Sequence, residues 1–510
     1  MTAPEKHDIH RKRESSGKLF FNQDSDNHYY HPLPGEMTVK HLNRIVDPLN
    51  HTHTRVFVLG ANAKFATFPS TAWEVITDAL LPDDAARFTG VADSGAADDP
   101  WFHRSAMNLR ALFAQGIDPP AYMLARARRY GMEGWLSVRM NDGHARNQPD
   151  HPLNSRFYRE HPEYWTVGNT LGNAWDYALA PVRAHFLALI TELLDRYDLD
   201  GIELDWNRSP NHFRDGHYDE GRAILTRWMG EVRQAVEATA ARRKHRIQLV
   251  VRVPARPEVA RGIGLDAVAW ARRGYVNRLI VGPYKGTTDY DVPVEQWKRL
   301  LRGTGVPVTV CLEHVVSFFP GAPNRWSHFW CMTREQLRGA AIGALHRGSD
   351  GIYLFNHMSR PADDPELFRE LGDLNTLEST GRDYLVTWVS PEIPGQPIPC
   401  DLPRIIEPGG TAAFRIYTGP KPARGVLGTV FLTLAGPVRE AHPGLYVTVN
   451  DHPTEQQIAG TSPVFPDHAR LPFLVASDSF SRGYTNIEVR NGTVEEIEIN
   501  GVELTMRFPG

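Results

Sequence analysis

The sequence predicts an α/β protein, a (β/α)8 TIM barrel followed by a C-terminal antiparallel β-sandwich domain. Three observations predict it. Eight short strand-like runs alternate with helical stretches between residues 18 and 356. Several of those runs are continuously apolar, as expected of parallel strands with helices over their outer faces. After residue 378 the pattern changes to alternating apolar and polar residues, the period of antiparallel strands. A doubly wound open sheet is the rival, but it calls for a Gly-rich phosphate loop after an early strand, and none is present.

Taken in order, residues 1–17 are polar and charged and are expected to be disordered. The eight barrel strands are expected at Lys18–Asn22, Arg55–Leu59, Gly134–Met140, Gly201–Trp206, Ile247–Val253, Arg278–Val281, Pro307–Leu312 and Gly351–Phe355. Between them, Pro181–Leu194 opens with proline in its first turn and carries an apolar stripe, and Arg222–Thr239, Pro293–Arg302 and Thr333–Arg347 read as helices too. Strand then helix over residues 18–378 is the pattern of a closed parallel barrel. A Pro-rich stretch from Pro391 to Pro408 leads into Ala412–Tyr417, Thr429–Leu434, Leu445–Asn450 and Thr485–Arg490, and Asn500-Gly501 carries a hairpin signal. Residues 379–510 therefore read as a β-sandwich, accessory and suited to scaffolding or to sugar binding.

At 510 residues the chain is too long for one ordinary core. A formal charge of -4 gives no electrostatic case for nucleic acid or an anionic membrane as partner. Three dispersed cysteines, Cys311, Cys331 and Cys400, make neither a disulfide framework nor a zinc cluster. No run of 18 or more apolar residues occurs, so no membrane span is expected, and the polar start lacks the apolar core of a secretory signal. A cytoplasmic location is the resulting expectation. Oligomeric state leaves no mark in the sequence.

In Asp198-Leu199-Asp200-Gly201-Ile202-Glu203-Leu204-Asp205-Trp206, alternate residues of a strand share a face, so Glu203 and Asp205 project together. Ile202, Leu204 and Trp206 point toward the helix layer. Barrel enzymes build their sites at the C-terminal strand ends, and these ends are rich in polar groups. They supply Asp24 on strand one, then Arg139, Asn141, Asp142 and His144 on strand three. Strand four adds Asp205, Trp206, Asn207 and Arg208, and strand five Arg252. Tyr284 and Lys285 follow strand six, Glu313 ends strand seven, and Asn356 follows strand eight. Such a rim suits a polyhydroxylated ligand. The loops Asn141–Leu179 and Val315–Met332, the second holding Phe318, Phe319, Trp326, Phe329 and Trp330, read as walls of a cleft.

Glycoside hydrolysis needs two carboxyl groups, one to protonate the departing oxygen and one to attack or to activate water. Asp205 and Glu313 are the expected pair. Glu203 lies one layer deeper and is expected to tune Asp205 through like-charge coupling, raising one of the two pKa values. The remaining rim residues, Asp24, Arg139, Asn141, Asp142, His144, Trp206, Asn207, Arg208, Arg252, Tyr284 and Asn356, are expected to bind substrate. Neither metal nor cofactor is called for. His51-Thr52-His53 precedes strand two and falls on the stability face, and Asp24-Ser25-Asp26-Asn27 lacks the Gly and distal Glu of an EF-hand.

Leu199–Trp206 resembles the strand-four signature of family 18 chitinases, roughly Asp-Gly-x-Asp-x-Asp-x-Glu. Asp200, Glu203 and Asp205 fall on its three aspartates, and the catalytic Glu falls on Asn207, an amide that cannot donate a proton as a general acid. The chain also resembles a group of glycoside-hydrolase-like barrels labelled family 10-like. There the likeness rests on Asn22/Asp24, Arg139-Met140-Asn141-Asp142, Asp200 to Asp205 with Arg208, and Asp350-Gly351-Ile352-Tyr353-Leu354-Phe355-Asn356. It covers about residues 18–360. The Asn-Glu dipeptide that ends strand four of family 10 xylanases is missing here. These resemblances imply a barrel glycosidase acting on a carbohydrate. Two alternatives stay open: a carbohydrate-binding barrel without catalysis, and a lyase or isomerase holding a sugar acid with Arg139, Arg208 and Arg252.

Overall fold

The computed structural model describes residues 18–24, 29–30, 32–33, 36–79, 100–169, 172–284, 286–318, 330–358, 360–387, 401–423, 425–437, 444–463 and 467–509. Outside the described residues lie the expectations for 1–17, for Ser25 to Asn27, for Lys285 and Cys400, for Phe319, Trp326 and Phe329, and for the prolines from Pro391 to Pro399. So does the side chain of Trp330.

The barrel strands are β1 (Leu19–Gln23), β2 (Thr54–Gly60), β3 (Glu133–Arg139), β4 (Gly201–Asp205), β5 (Gln248–Pro254), β6 (Arg278–Gly282), β7 (Val308–Glu313) and β8 (Ile352–Phe355). Each pairs in parallel with its sequence neighbours, and β8 closes on β1 through the register Asn22↔Phe355. Along β3, β4 and β5 the register aligns Arg139, Asp205 and Arg252. All eight expected strands are present, with no end moved by more than one residue.

Local chemistry explains the elements. The Ala180–Arg196 helix carries Pro181 in its first turn. The Arg334–His346 helix opens with a capping box, in which the Thr333 hydroxyl accepts from Gln336 N at 3.1 Å and the Gln336 side chain accepts from Thr333 N at 2.9 Å. The two Asp-Gly pairs have the same structural use. Asp200 accepts from Gly134 N at the start of β3 (2.8 Å), and Asp350 from Val308 N at the start of β7 (2.7 Å). Their glycines make room for the aromatic plug of the barrel. A Cβ on Gly201 would stand 2.8 Å from the Trp135 ring, and one on Gly351 2.8 Å from Phe20.

The inward faces bury Phe20, Val56, Val58, Trp135, Val250, Ile280, Cys311, Tyr353 and Phe355 as a plug, while the outward faces pack under the helices. No helix among the described residues is long and apolar enough to cross a membrane.

Past the barrel come β9 (Arg382–Leu385), β10 (Arg404–Ile406), β11 (Thr411–Gly419), β12 (Leu427–Leu434), β13 (Leu445–Val449), β14 (Ala469–Val475), β15 (Gly483–Asn491) and β16 (Ile497–Arg507). One sheet runs β9–β16–β12–β14, and the other β11–β15–β13, all antiparallel. The hairpin expected at Asn500-Gly501 does not occur. Both residues lie inside the continuous strand β16, where Leu434 pairs with Ile499 and Thr433 with Gly501. Asn500 is the extra residue of a β-bulge, and Gly501 lets the chain pass Thr433, whose side chain a Cβ would meet at 3.1 Å.

Candidate active site

Two polar networks meet above the plug. The first centres on Arg252, which is fully buried. Its Nη1 donates to Asp205 at 2.9 and 3.1 Å, and its Nη2 lies 3.5 Å from Glu313 Oε1. The guanidinium lies over the Phe355 ring, 4.0 Å from its centroid. A buried guanidinium is tolerated only with such partners, so the two carboxylates and Arg252 are mutually required. Asp205 Oδ1 also accepts the backbone N–H of Asn207 at 2.9 Å. Its surroundings are donors that complement a carboxylate. Glu313 is held more loosely, with His314 Nδ1 3.8 Å from Oε2. Strands four and seven thus bring the expected pair to the two arms of one arginine.

Glu203 sits directly beneath, fully buried. Its Oε1 accepts from Ser137 Oγ (2.7 Å) and, across the barrel, from Tyr353 OH (3.0 Å); Oε2 has no partner. Burial pushes its carboxyl up to about 7, and the Asp205 charge pushes the same way. Depth in the barrel is thus the main cause of the raised Glu203 carboxyl, and the like charge of Asp205 on the same strand face adds to it.

The second network runs along the rim. Arg139 bonds both Asp24 and Asp142, and Arg208 reaches from β4 to within 3.5 Å of Asp24. Asp142 Oδ1 accepts from the backbone N and Nδ1 of His144, both at 2.8 Å. Burial alone would raise the Asp142 carboxyl, but His144, Arg139 and Lys64 outweigh it and hold it well below the usual range. Arg208 also lies 5.4 Å from the Phe355 ring centroid, where the two networks join.

Three expected binders have other duties. Trp206 is wholly buried on the outer face, its ring 5.0 Å from Tyr177 and 5.0 Å from His212 and near Trp228 and Trp270. The strand period that turns Asp205 inward turns Trp206 into the helix layer, so the structure removes it from the substrate-binding set. Asn141 accepts from Trp175 N at 2.9 Å and donates to Trp175 O, Asn211 O and His212, which spends its amide on holding the cleft wall. Asn207 donates to Gly282 O and Pro283 O, beside Tyr284, and keeps a buried Oδ1 without a partner. Asn356 is half-buried, has φ 61° and also leaves Oδ1 unpartnered.

No family model matches the sequence, and no curated protein matches it. Solved structures do resemble the fold. One is an α-L-fucosidase isoenzyme from Paenibacillus thiaminolyticus, 13% identical, covering 71% of this chain and 49% of that one, with a TM-score of 0.44. Another is a chitinase from Paenibacillus sp. str. FPU-7, 10% identical over 96% of this chain and 56% of its own, with a TM-score of 0.42. A chitinase from Bacillus thuringiensis is 10% identical over 96% and 100% of the two chains, with a TM-score of 0.38. The chain spans about half the length of the first two.

Sequence reasoning missed Ser137, Tyr353, Lys64 and His357. The strand period could have found the first two. Ser137 stands two residues before Arg139, and Tyr353 two before Phe355, each on the inward face. Lys64 left no signal, because it comes from the loop after β2. It is buried, donates to His144 O at 2.6 Å and to Asn154, and lies 4.1 Å from the Tyr158 ring centroid. Burial brings its ammonium down to about 7, against the pull of Asp142. It pins the wall that carries Asp142 and His144.

Proposed function

We propose that this protein is a glycoside hydrolase that cleaves an O-glycosidic bond with Asp205 and Glu313. The observation that carries the reading is the pairing of these two carboxylates, from β4 and β7, on one buried arginine. Asp205, surrounded by donors, takes the role of nucleophile or base, and the loosely held Glu313 that of proton donor. Glu203, sealed below, tunes the pair without touching substrate. Of the rim residues, Asp24, Arg139, Asp142, His144, Arg208, Tyr284 and Asn356 bind the sugar, with residues 18–378 as the catalytic part and 379–510 as accessory.

A sugar-acid lyase or isomerase is less well supported. Arg139 and Arg252 are already paired with carboxylates, and Arg208 faces Asp24, which leaves little net positive charge for an anionic substrate. A binding barrel without catalysis draws support from Asn207, since it stands where the chitinase acid would be.

Screening the purified protein against a panel of neutral oligosaccharides for released reducing ends tests the reading. Wild-type protein is expected to release product, and Asp205→Asn to lose about 100-fold or more in kcat. Binding without release by wild-type protein favours the non-catalytic barrel. Near wild-type turnover by Asp205→Asn removes the assignment.

A further inference from the structure

The turn that follows Asp142 is strained, and three buried side chains hold it. Ala145 has φ 48°, in the left-handed region that alanine adopts only under constraint. Each of the three successive carbonyls around it is taken by a side chain. Lys64 Nζ donates to His144 O at 2.6 Å, Asn154 Nδ2 to Ala145 O at 3.2 Å, and Tyr158 OH to Arg146 O at 3.1 Å. None of the three side chains is more than 5% exposed, and they also touch one another. Lys64 Nζ donates to Asn154 Oδ1 and stands 4.1 Å from the Tyr158 ring centroid. The three N–H groups of one ammonium thus go to His144 O, Asn154 Oδ1 and the Tyr158 face.

The turn has a side chain to aim. His144 immediately precedes Ala145, and its Nδ1 lies 2.8 Å from Asp142 Oδ1. Its side chain is 45% exposed, which leaves Nε2 as the ring nitrogen that a ligand can reach. A strained residue persists only where its surroundings over-determine it, and such residues cluster at functional sites. Here the surroundings come from two places in the chain: Lys64 from the loop after β2, and Asn154 and Tyr158 from farther along the wall. Removing the ammonium takes a donor from His144 O and the anchor from Asn154. The turn is then free to relax to an ordinary φ, which swings the His144 peptide.

We propose that Lys64 is a positioning residue: with Asn154 and Tyr158 it clamps the strained turn at Ala145 and so aims the His144 imidazole at the sugar. The proposal rests on the reading of His144 as a sugar-binding residue, but not on hydrolysis.

Wild type, Lys64→Met, Ala145→Gly and the double variant are compared at pH 6, below the value of about 7 at which Lys64 loses its proton. Glycine takes a positive φ at little cost, so it removes the strain that the clamp must hold. Calorimetric titration with neutral mono- to tetrasaccharides of glucose, galactose, mannose, fucose and N-acetylglucosamine reads affinity. Nuclear magnetic resonance of ring-labelled histidine reads the His144 signal, identified by its loss in His144→Gln. Lys64→Met is expected to weaken binding about tenfold, the size of one hydrogen bond, and to shift the His144 signal. With glycine at 145, the same substitution is expected to cost less than about threefold, a rescue that a merely structural lysine would not show. Should Lys64→Met fail to fold, Asn154→Ala removes the same tie from its other side, with the same expectations.

An unmoved His144 signal in the variant that breaks the tie would overturn the clamp. So would an equal loss of affinity with alanine and with glycine at 145. Sugar binding that ignores Lys64 would overturn the clamp and leave the carbohydrate reading standing. A shifted signal restored by glycine, with no saccharide bound by any form, would overturn the aim at sugar and leave the clamp standing.

Discussion

A carboxyl group buried beside another acid favours its neutral form, and Glu203 meets both conditions. The sign of the resulting pH dependence is fixed. Its folded pKa of about 7 lies above the ordinary 4.5, so the neutral form is favoured by folding. The stability this brings is fully present below pH 4.5 and is lost as pH rises through about 7. Glu203→Gln keeps the neutral shape and removes the titration. Relative to wild type, the variant is therefore expected to gain up to about 3 kcal/mol between pH 4.5 and pH 8, at about 1.4 kcal/mol per tenfold change. Urea denaturation at several pH values checks it, and a pH-independent difference contradicts it. The coupling of Glu203 to Asp205 was legible from two acids two residues apart on a strand. How far Glu203 would be raised was not, because that depends on its complete burial in the barrel interior, which outweighs the hydrogen bonds from Ser137 and Tyr353.

At the scale of elements, the same alternation that places the acids also places their neighbours. Trp206 continues β4 but belongs to the outer face, under the Tyr218–Arg243 and Ala267–Arg272 helices. Trp206→Ala is expected to cost about 3–5 kcal/mol of stability, as for a buried aromatic, and to leave sugar affinity of the folded protein unchanged. A loss of affinity with little loss of stability would place the ring in the cleft instead. Barrel strands were legible because each is a short apolar run bounded by turns. The β16 bulge was not, since Asn-Gly reads as a turn unless a partner strand is known. Here β12 supplies that partner and turns the same dipeptide into an irregularity within a strand.

Across the whole molecule, the sandwich is fastened to the crossover helix between β7 and β8. Gly339 of that helix lies against β9, where a Cβ would come 2.0 Å from Asp383 O, a backbone atom with no freedom to yield. Around it, Arg347 bonds Asp291 (2.6 Å) and Glu295, Tyr484 OH donates to Asp291 at 2.7 Å, and Tyr290 OH donates to Gln336 O at 3.0 Å. Phe318, in the loop beyond Glu313, stands against Gly501 of β16. Gly339→Ala is therefore expected to cost at least about 1–3 kcal/mol and to loosen the sandwich from the barrel. Calorimetry should show a lowered or split transition, and an unchanged single transition contradicts the close contact.

None of this junction was legible, because it joins residues more than 40 positions apart through backbone proximity. The claim that Asp205 and Glu313 divide the chemistry is tested most directly with aryl glycosides of graded leaving-group acidity, on Asp205→Asn and Glu313→Gln. If Glu313 is the proton donor, Glu313→Gln loses about 100-fold or more on poor leaving groups and recovers on a dinitrophenyl glycoside, which needs no proton. Asp205→Asn stays inactive on both. Equal losses of Glu313→Gln on every leaving group, or recovery of Asp205→Asn on the dinitrophenyl glycoside, would contradict the assignment.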